Sequence, residues 1–293
     1  MIGLQLIRDD AEAVKRAVAR KGEPTEPVDR LLEADARRRA LEAEVNELRA
    51  ERNAGSKQVG ELMREGRRDD ADALKGRMAA LSPRIETLEA ELAAVEAAIE
   101  RDLLLVPNPP HPSVPDGKGE GDNPVLRTWG DPAAEGSAPP HWEIGERLGL
   151  FDLDRGAKIA GSGFIVYTGP GARLQRALIG LMLELAERHG YTEVWTPLLV
   201  NAASARGTGQ LPDKESQMYV VERDELYLIP TSEVPVTNLY RDEILAPDDL
   251  PRYHTAYTPC FRREAGAAGK DTRGLLRVHQ FDKVEMVKFV RPE

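Results

Sequence analysis

The residues from Phe261 to Phe289, FRREAGAAGKDTRGLLRVHQFDKVEMVKF, hold the densest set of groups able to do chemistry in this chain. Two arginines and a glutamate, Arg262, Arg263 and Glu264, lead into a Gly/Ala-rich loop. The alternation that follows predicts a strand. Strand side chains alternate between faces, so Arg277, His279, Phe281, Lys283 and Glu285 share one face, with Val278, Val284 and Val287 available for packing. A row of cation, imidazole, aromatic ring, cation and carboxylate is too costly to bury without partners. It suits the floor of a site for an anionic, ring-bearing ligand such as ATP. It also suits the solvated face of an antiparallel hairpin, and the pattern alone leaves both readings open.

The elements that must position this row are legible nearby. Met218–Val221, Leu226–Ile229, Tyr253–Arg262 and Leu275–Val290 alternate as strands joined by short turns, which predicts an antiparallel sheet. Upstream, WEIGERLGLFD reads as a short helix and GSGFIVYTG as a strand. ARLQRALIGLMLELAERHG reads as an amphipathic helix ending at the C-cap candidate Gly190, followed by the strand YTEVWTPLLV. No GxGxxG or Walker-type loop occurs, so a nucleotide must be held another way. Residues 107–140 are rich in Pro, Gly and Asp and read as a linker.

The first third follows a different rule. Leu31, Ala34, Arg38, Leu41, Val45, Leu48, Arg52, Gly55, Val59 and Leu62 recur at spacings of three and four, and Ala71 to Ile99 repeats the pattern. Sustained heptads with charged flanks predict a coiled coil. The polar stretch Arg64–Asp70 reverses the chain, giving a two-helix arm with each helix about 50 Å long at 1.5 Å per residue. Arg38 and Arg52 fall on the seam, where they must snorkel outward or loosen it. Such an arm suits a spacer or dimerisation device as well as a binding element.

With 293 residues the chain can hold two domains. Its 41% hydrophobic and 31% charged residues fit a globular rather than a disordered protein. No apolar run approaches the roughly 20 residues of a membrane span. The start MIGLQLIRDD lacks the marks of a signal peptide. The single cysteine, Cys260, excludes an intramolecular disulfide and a multi-cysteine zinc site, which makes a cytoplasmic location the default. A net charge of −10 argues against non-specific coating of nucleic acid but leaves a local basic strip possible.

The order FRREAG…GKDTRGLLRVHQFDKVE resembles the motif 2 hairpin of class II aminoacyl-tRNA synthetases, in the form found in the seryl-tRNA synthetase family. LIPTSEVPVTNLYRDEIL (Leu228 to Leu245) resembles that family's TxE serine loop and following helix, and GTGQLP (Gly207 to Pro212) the loop before it. PNPPHPSVPDG and DNPVLRTWG resemble its interdomain linker. The helix and strand around Pro197 resemble motif 1. The resemblance runs through essentially the whole chain and implies an α+β protein. Its parts would be a tRNA-binding coiled-coil arm over residues 1–106, a linker over 107–140 and a class II core over 141–293. It further implies ATP-dependent activation of serine to seryl-adenylate and transfer to tRNA(Ser), and to tRNA(Sec) as well, with Mg2+, in a cytoplasmic homodimer joined through motif 1.

The resemblance also implies roles. A guanidinium offers forked donors to two oxyanions, so Arg262 is the candidate for the α-phosphate and the serine carboxylate, and the catalytic residue of the transition state. Glu264 would orient the adenine amino group, Phe281 would stack on the purine, and Val278 would offer backbone contacts. Arg263 and Arg277 complete the ATP set, Arg277 as a second cation near the triphosphate. Thr231, Ser232, Glu233 and Glu285 match the serine-binding positions, and which glutamate reads the hydroxyl is left open. For Glu264 and Arg277 a surface ion pair is the competing reading. For Thr231–Glu233 it is a strand-to-helix junction with a hydroxyl N-cap. A hydroxyl-bonding site would reject alanine by roughly 10⁴–10⁵, whereas threonine must be excluded by shape.

A non-catalytic tRNA-binding relative and an amino-acid ligase acting on a carrier protein remain as rivals. The second has no need of the arm. The zinc-dependent type of synthetase is disfavoured, because Cys260 reads as a small buried side chain rather than a ligand. Two departures from the family pattern stand out. Gly163 replaces a frequent arginine. The motif 3 arginine and the acidic metal ligand before it do not occur up to Glu293, which puts turnover by residues 1–293 in doubt.

Overall fold

The computed structural model describes residues 2–130, 138–213, 215–265 and 274–291. The Gly/Ala-rich loop after Ala265 and the last two residues therefore lie outside the described residues, as does part of the linker. The chain divides into two compact units, Met1–Trp129 and Gly130–Glu293.

The first unit is helical. Leu4–Asp9 (α1) and Ala11–Arg20 (α2) meet at Asp10, whose carboxylate accepts from the Ala13 amide at 2.8 Å and caps α2. Glu26–Arg64 (α3) starts with acidic residues and Pro27 in its first turn and ends on Arg64, in line with the helix dipole. Arg68–Leu103 (α4) returns after a turn of only three residues, Glu65–Arg67, shorter than the polar stretch suggests. Pro83 lies inside α4 without ending it, and the Thr87 hydroxyl donates to the Pro83 carbonyl at 2.8 Å. Leu41, Val45 and Leu88 form the mid-arm core, flanked by Leu48, Leu92 and Val95. Toward the tip, a side chain at Gly55 would reach within 2.1 Å of the Met78 sulfur, so the helices close tightly there. At the base, Ile7, Val14 and Val18 of α1 and α2 pack with Val28, Leu31, Ile99 and Val106.

The seam differs from the heptad reading at one place. Asp35, not Ala34, is the buried residue after Leu31, and it is fully buried. Arg38 donates to it at 2.9 Å, Arg39 and Arg8 lie within 3.2 and 3.3 Å, and α1 is thereby tied to α3. Arg38 also donates to Glu42 at 2.6 Å, so it neither snorkels freely nor loosens the seam. The Asp35 hydrogen bond pushes the Arg38 guanidinium above its ordinary value, against the opposing pull of desolvation. Beyond α4, Arg20 pairs with Asp116 at 2.5 Å and donates to the Val114 carbonyl at 2.7 Å, fastening the proline-rich segment to the end of α2.

The second unit begins with His141–Arg147 (α5), Phe151–Asp152 (β1), Leu153–Ala160 (α6) and Val166–Tyr167 (β2). α6 has no counterpart in the sequence reading; Asp152 caps it by accepting from the Arg155 amide at 2.8 Å. Gly169–Arg188 (α7) follows, ending as expected just before Gly190 (φ +82°). The stretch read as one strand, YTEVWTPLLV, is two short strands, Thr192–Glu193 (β3) and Leu199–Asn201 (β4), which join different sheets. Pro197 between them cannot donate to a ladder, which accounts for the break. Ala202–Gly207 (α8), Val220–Val221 (β5), Leu226–Leu228 (β6) and Glu233–Thr237 (α9) lead to the long strands Arg252–Phe261 (β7) and Gln280–Phe289 (β8).

β7 and β8 pair antiparallel over ten residues, from Arg252 opposite Phe289 to Phe261 opposite Gln280. β3 adds to β7 in parallel, so the central sheet is mixed rather than purely antiparallel. A parallel partner needs a long crossover, which the chain between β3 and β7 supplies. β4, β6 and β5 form an antiparallel sheet, and β1 pairs with β2. The fold class is α+β. On one side of the long hairpin Asp282 accepts from Gln175 of α7 at 2.8 Å and from the Tyr257 hydroxyl at 2.9 Å. Burial, then Asp282, pushes the Tyr257 phenol up to about 12. No helix among the described residues is long and apolar enough to cross a membrane.

Candidate active site

The site lies where the end of β7, the start of β8 and the loop after β6 meet. β8 begins at Gln280, so Arg277 and His279 precede it; the predicted strand starts too early. Phe281, Lys283 and Glu285 do share one parity on β8, and so does Val287 of the set expected to pack, whereas Val284 has the other parity. Val278 is buried.

Arg262 follows the last residue of β7. Its amide donates to the His279 carbonyl at 2.9 Å, and the His279 Nδ1–H donates back to the Arg262 carbonyl at 3.0 Å. A carbonyl can only accept, so this bond fixes the proton on Nδ1. The His279 ring stacks on Phe164 at 5.3 Å and meets Tyr219 edge-on at 6.3 Å. The His279 amide donates to the Gly163 carbonyl at 2.9 Å. Gly163 sits at φ +82°, and a Cβ there would approach the His279 ring to 2.4 Å. Both the left-handed backbone and the close approach call for glycine. The Arg262 side chain donates from Nε to the Pro230 carbonyl at 3.2 Å, and its guanidinium lies 5.1 Å from the centre of the Phe281 ring.

Glu264 adopts φ +49°, an uncommon conformation for a residue with a side chain and one that gathers at functional sites. Its Oε2 lies 3.4 Å from Nη1 of the exposed Arg277. The Arg263 side chain is exposed, and its amide donates to the Gln217 carbonyl at 2.8 Å. Pro230, Thr231, Arg262, Glu264, Ala265 and Arg277 line a cleft of about 410 Å³, large enough for a small ligand. Gln210, Glu215 and Gln217 complete its rim. Gln210 belongs to the GTGQLP segment noted in the sequence, whereas Glu215 and Gln217 were not singled out there. The Gln217 amide group donates to the Ala265 carbonyl at 3.1 Å, a contact between distant segments that no local pattern encodes.

The TSE residues diverge. Thr231 is buried, and its hydroxyl accepts from the Glu233 amide at 3.3 Å; the N-cap of α9 is Ser232, whose side chain makes no capping hydrogen bond, so the junction lacks the hydroxyl cap expected from sequence. The same hydroxyl lies 3.3 Å from Glu285 Oε2 and accepts from Lys283 Nζ at 2.7 Å. Lys283 also pairs directly with Glu285. Ser232 turns inward instead: its hydroxyl meets Thr258 Oγ1 at 2.6 Å, and Thr258 meets the Cys260 sulfur at 3.3 Å. Burial pushes the Cys260 thiol up, which keeps it protonated, as befits a packed side chain. Glu233 is exposed and makes no ion pair among the described residues. Thr231, Arg262, Glu264 and Arg277 thus converge on one cleft, with Phe281 and Glu285 linked through Arg262 and Thr231. Among the described residues no three His, Cys, Asp or Glu side chains converge to hold a metal ion.

A long antiparallel hairpin with an arginine at its turnward end, without a glycine-rich phosphate loop, is the architecture of a class II aminoacyl-tRNA synthetase. Residues 219–293 match the class II core domain of the G, H, P, S and T tRNA synthetases, and residues 1–110 match the seryl-tRNA synthetase N-terminal domain. The chain is 50% identical over 295 residues to the serine–tRNA ligase of Salinibacter ruber, and 48% identical over 296 residues to that of Methylacidiphilum infernorum. All of this chain is covered in both, against 69% and 70% of those relatives. The seryl-tRNA synthetase of Pyrococcus horikoshii, solved in complex with ATP, superimposes with a TM-score of 0.86 at 36% identity over 98% of this chain and 69% of that one. The Naegleria fowleri cytoplasmic serine–tRNA ligase with AMP shares the fold, with a TM-score of 0.78 at 24% identity over 98% of this chain and 70% of its own. The chain belongs to the seryl-tRNA synthetase (serine–tRNA ligase) family. It is a ligase of that family, whose reaction activates serine with ATP and transfers it to tRNA(Ser).

Proposed function

We propose that this protein forms seryl-adenylate in the cleft beside Arg262 and passes the seryl group to tRNA(Ser), with tRNA(Sec) as a further acceptor. One observation carries the assignment: a single guanidinium, held by the Pro230 carbonyl and the Phe281 ring, stands between a Glu264–Arg277 rim and the Thr231–Glu285 cluster. Arg262 there can bridge the serine carboxylate and the α-phosphate, align them in line, and offset charge that develops on the phosphate. Glu264, fixed in its uncommon backbone conformation, receives the adenine amino group. Phe281 presents its ring to the purine beside Arg262, Val278 contributes backbone, and Arg263 and Arg277 supply cations for the phosphates. Thr231, Glu233 and Glu285 take the serine ammonium and hydroxyl. Ser232 contributes through its main chain, because its side chain is committed to Thr258. The described residues do not form a cage for Mg2+, which we assign to the nucleotide phosphates.

The arm, residues 1–106 in this reading, binds tRNA; residues 107–140 link it to the core at 141–293. Its charges support a division of labour. Arg37, Arg49 and Arg84 are taken up by Glu91, Glu89 and Glu44 across the two helices. Arg52, Lys57, Arg64, Arg68 and Arg77, toward the turn, make no ion pair among the described residues and remain for phosphates. The apolar row Leu174, Leu178, Leu181, Met182 and Leu185 on α7 is exposed and supports a homodimer through this helix. A cytoplasmic location accords with the single buried cysteine.

Serine-dependent ATP–pyrophosphate exchange tests the assignment. Arg262→Ala should lower the rate about 10²–10³-fold. An unchanged rate would remove Arg262 from the reaction.

A further inference from the structure

The two carboxylates proposed for serine differ in their company. Glu233 is exposed and unpaired among the described residues, whereas Glu285 is paired with the ammonium of Lys283. Lys283 also donates to the Thr231 hydroxyl at 2.7 Å, and Thr231 lies 3.3 Å from the same carboxylate oxygen. Lys283 and Glu285 are held at this spacing by the strand, opposite Thr258 and Ala256 of β7. Only a third or less of either side chain is exposed, so the pair is weakly screened.

We propose that Lys283 is a specificity-determining, positioning residue of the amino-acid subsite, an inference that rests on the serine reading above. Its ammonium neutralises Glu285, so that this carboxylate accepts a neutral hydroxyl but does not draw in a cation. An amino acid with an ammonium on its β-carbon would meet Lys283 at short range, and like charges brought together there are strongly disfavoured. Serine and L-2,3-diaminopropionate have the same shape and differ in this one group. Shape cannot separate them, and the charge of Lys283 can. Lys283 also holds Glu285 and Thr231 in register, so its loss should weaken serine as well as admit its competitor.

The test compares serine with L-2,3-diaminopropionate in ATP–pyrophosphate exchange, at a pH where both amines are protonated. The proteins are the unaltered one, Lys283→Met, Lys283→Gln and Lys283→Arg. The Met and Gln variants should raise KM for serine and shift the kcat/KM ratio at least about tenfold toward diaminopropionate, with KM for ATP little changed. The Arg variant should keep the original preference, since it keeps the positive charge. A preference unchanged in both neutral variants, or a parallel loss for both amino acids and ATP, would overturn the proposal. Failure of the unaltered protein to bind a non-hydrolysable seryl-adenylate analogue, read by calorimetry, would instead refute the serine reading on which it stands, and the proposal with it.

Discussion

Arg262 is held in place by protein groups alone: the His279 main chain and ring below it, the Pro230 carbonyl beside it and the Phe281 ring facing it. Such preorganisation lets a charge act on a developing oxyanion without reorganising at the moment of reaction. Thr231 and Glu285 are arranged in the same way, each satisfied by Lys283. Glu285→Ala should therefore remove an acceptor for serine while leaving the ATP half of the cleft intact. The expected loss is about 1–3 kcal/mol in the affinity of a non-hydrolysable seryl-adenylate analogue, read by calorimetry. Unchanged affinity would take Glu285 out of the site. The types of these residues were plain in the chain. Their partners were not, because the Ser232 side chain turning toward Thr258 and Gln217 reaching Ala265 depend on segments far apart in sequence.

At the scale of elements, the arm and the hairpin show opposite degrees of legibility. Heptad spacing located α3 and α4 to within a few residues, since a coiled coil repeats one local rule over its whole length. The exception, Asp35, is a polar residue at a core position, and it is retained by three arginines. Asp35→Ala should leave those arginines crowded at the arm base without their shared carboxylate. Breaking a buried pair from one side is expected to destabilise the unit by about 3 kcal/mol, measured by denaturant unfolding. A shift below a few tenths would show that the arginines find other partners. Nearer the turn, replacing Arg64, Arg68 and Arg77 together with Gln should weaken tRNA binding and flatten its salt dependence. The same change at the ion-paired Arg37, Arg49 and Arg84 should do less. Equal effects from both sets would count against the tip as the phosphate-binding region. The stretch 191–200 reads as one strand, but Pro197, which cannot donate to a ladder, separates β3 from β4.

At the scale of the whole molecule, the chain folds as two compact units, Met1–Trp129 and Gly130–Glu293, and the proposed function gives each its own task. Leu174, Leu178, Leu181, Met182 and Leu185 form an exposed apolar row along α7, and a second copy of the chain is the proposed cover. Leu178→Arg should place a charge in the middle of that row and turn a dimer into a monomer by sedimentation or light scattering, with the fold retained by circular dichroism. A variant that still dimerises would move the interface elsewhere.

The sequence by itself determined the arm, the long hairpin, the absence of a glycine-rich phosphate loop and the residue types of the site. Each of these is written in local periodicity or in an ordered motif within a few tens of residues. Tertiary structure decided what each side chain does there. It set the parallel addition of β3 to β7, the helix α6, the glycine demanded by His279 at Gly163, and the capture of Glu285 by Lys283. These features depend on contacts between segments that sequence spacing leaves unordered. A carboxylate's charge is fixed by its residue type, but whether it is available to a ligand is fixed by which cation the fold brings beside it.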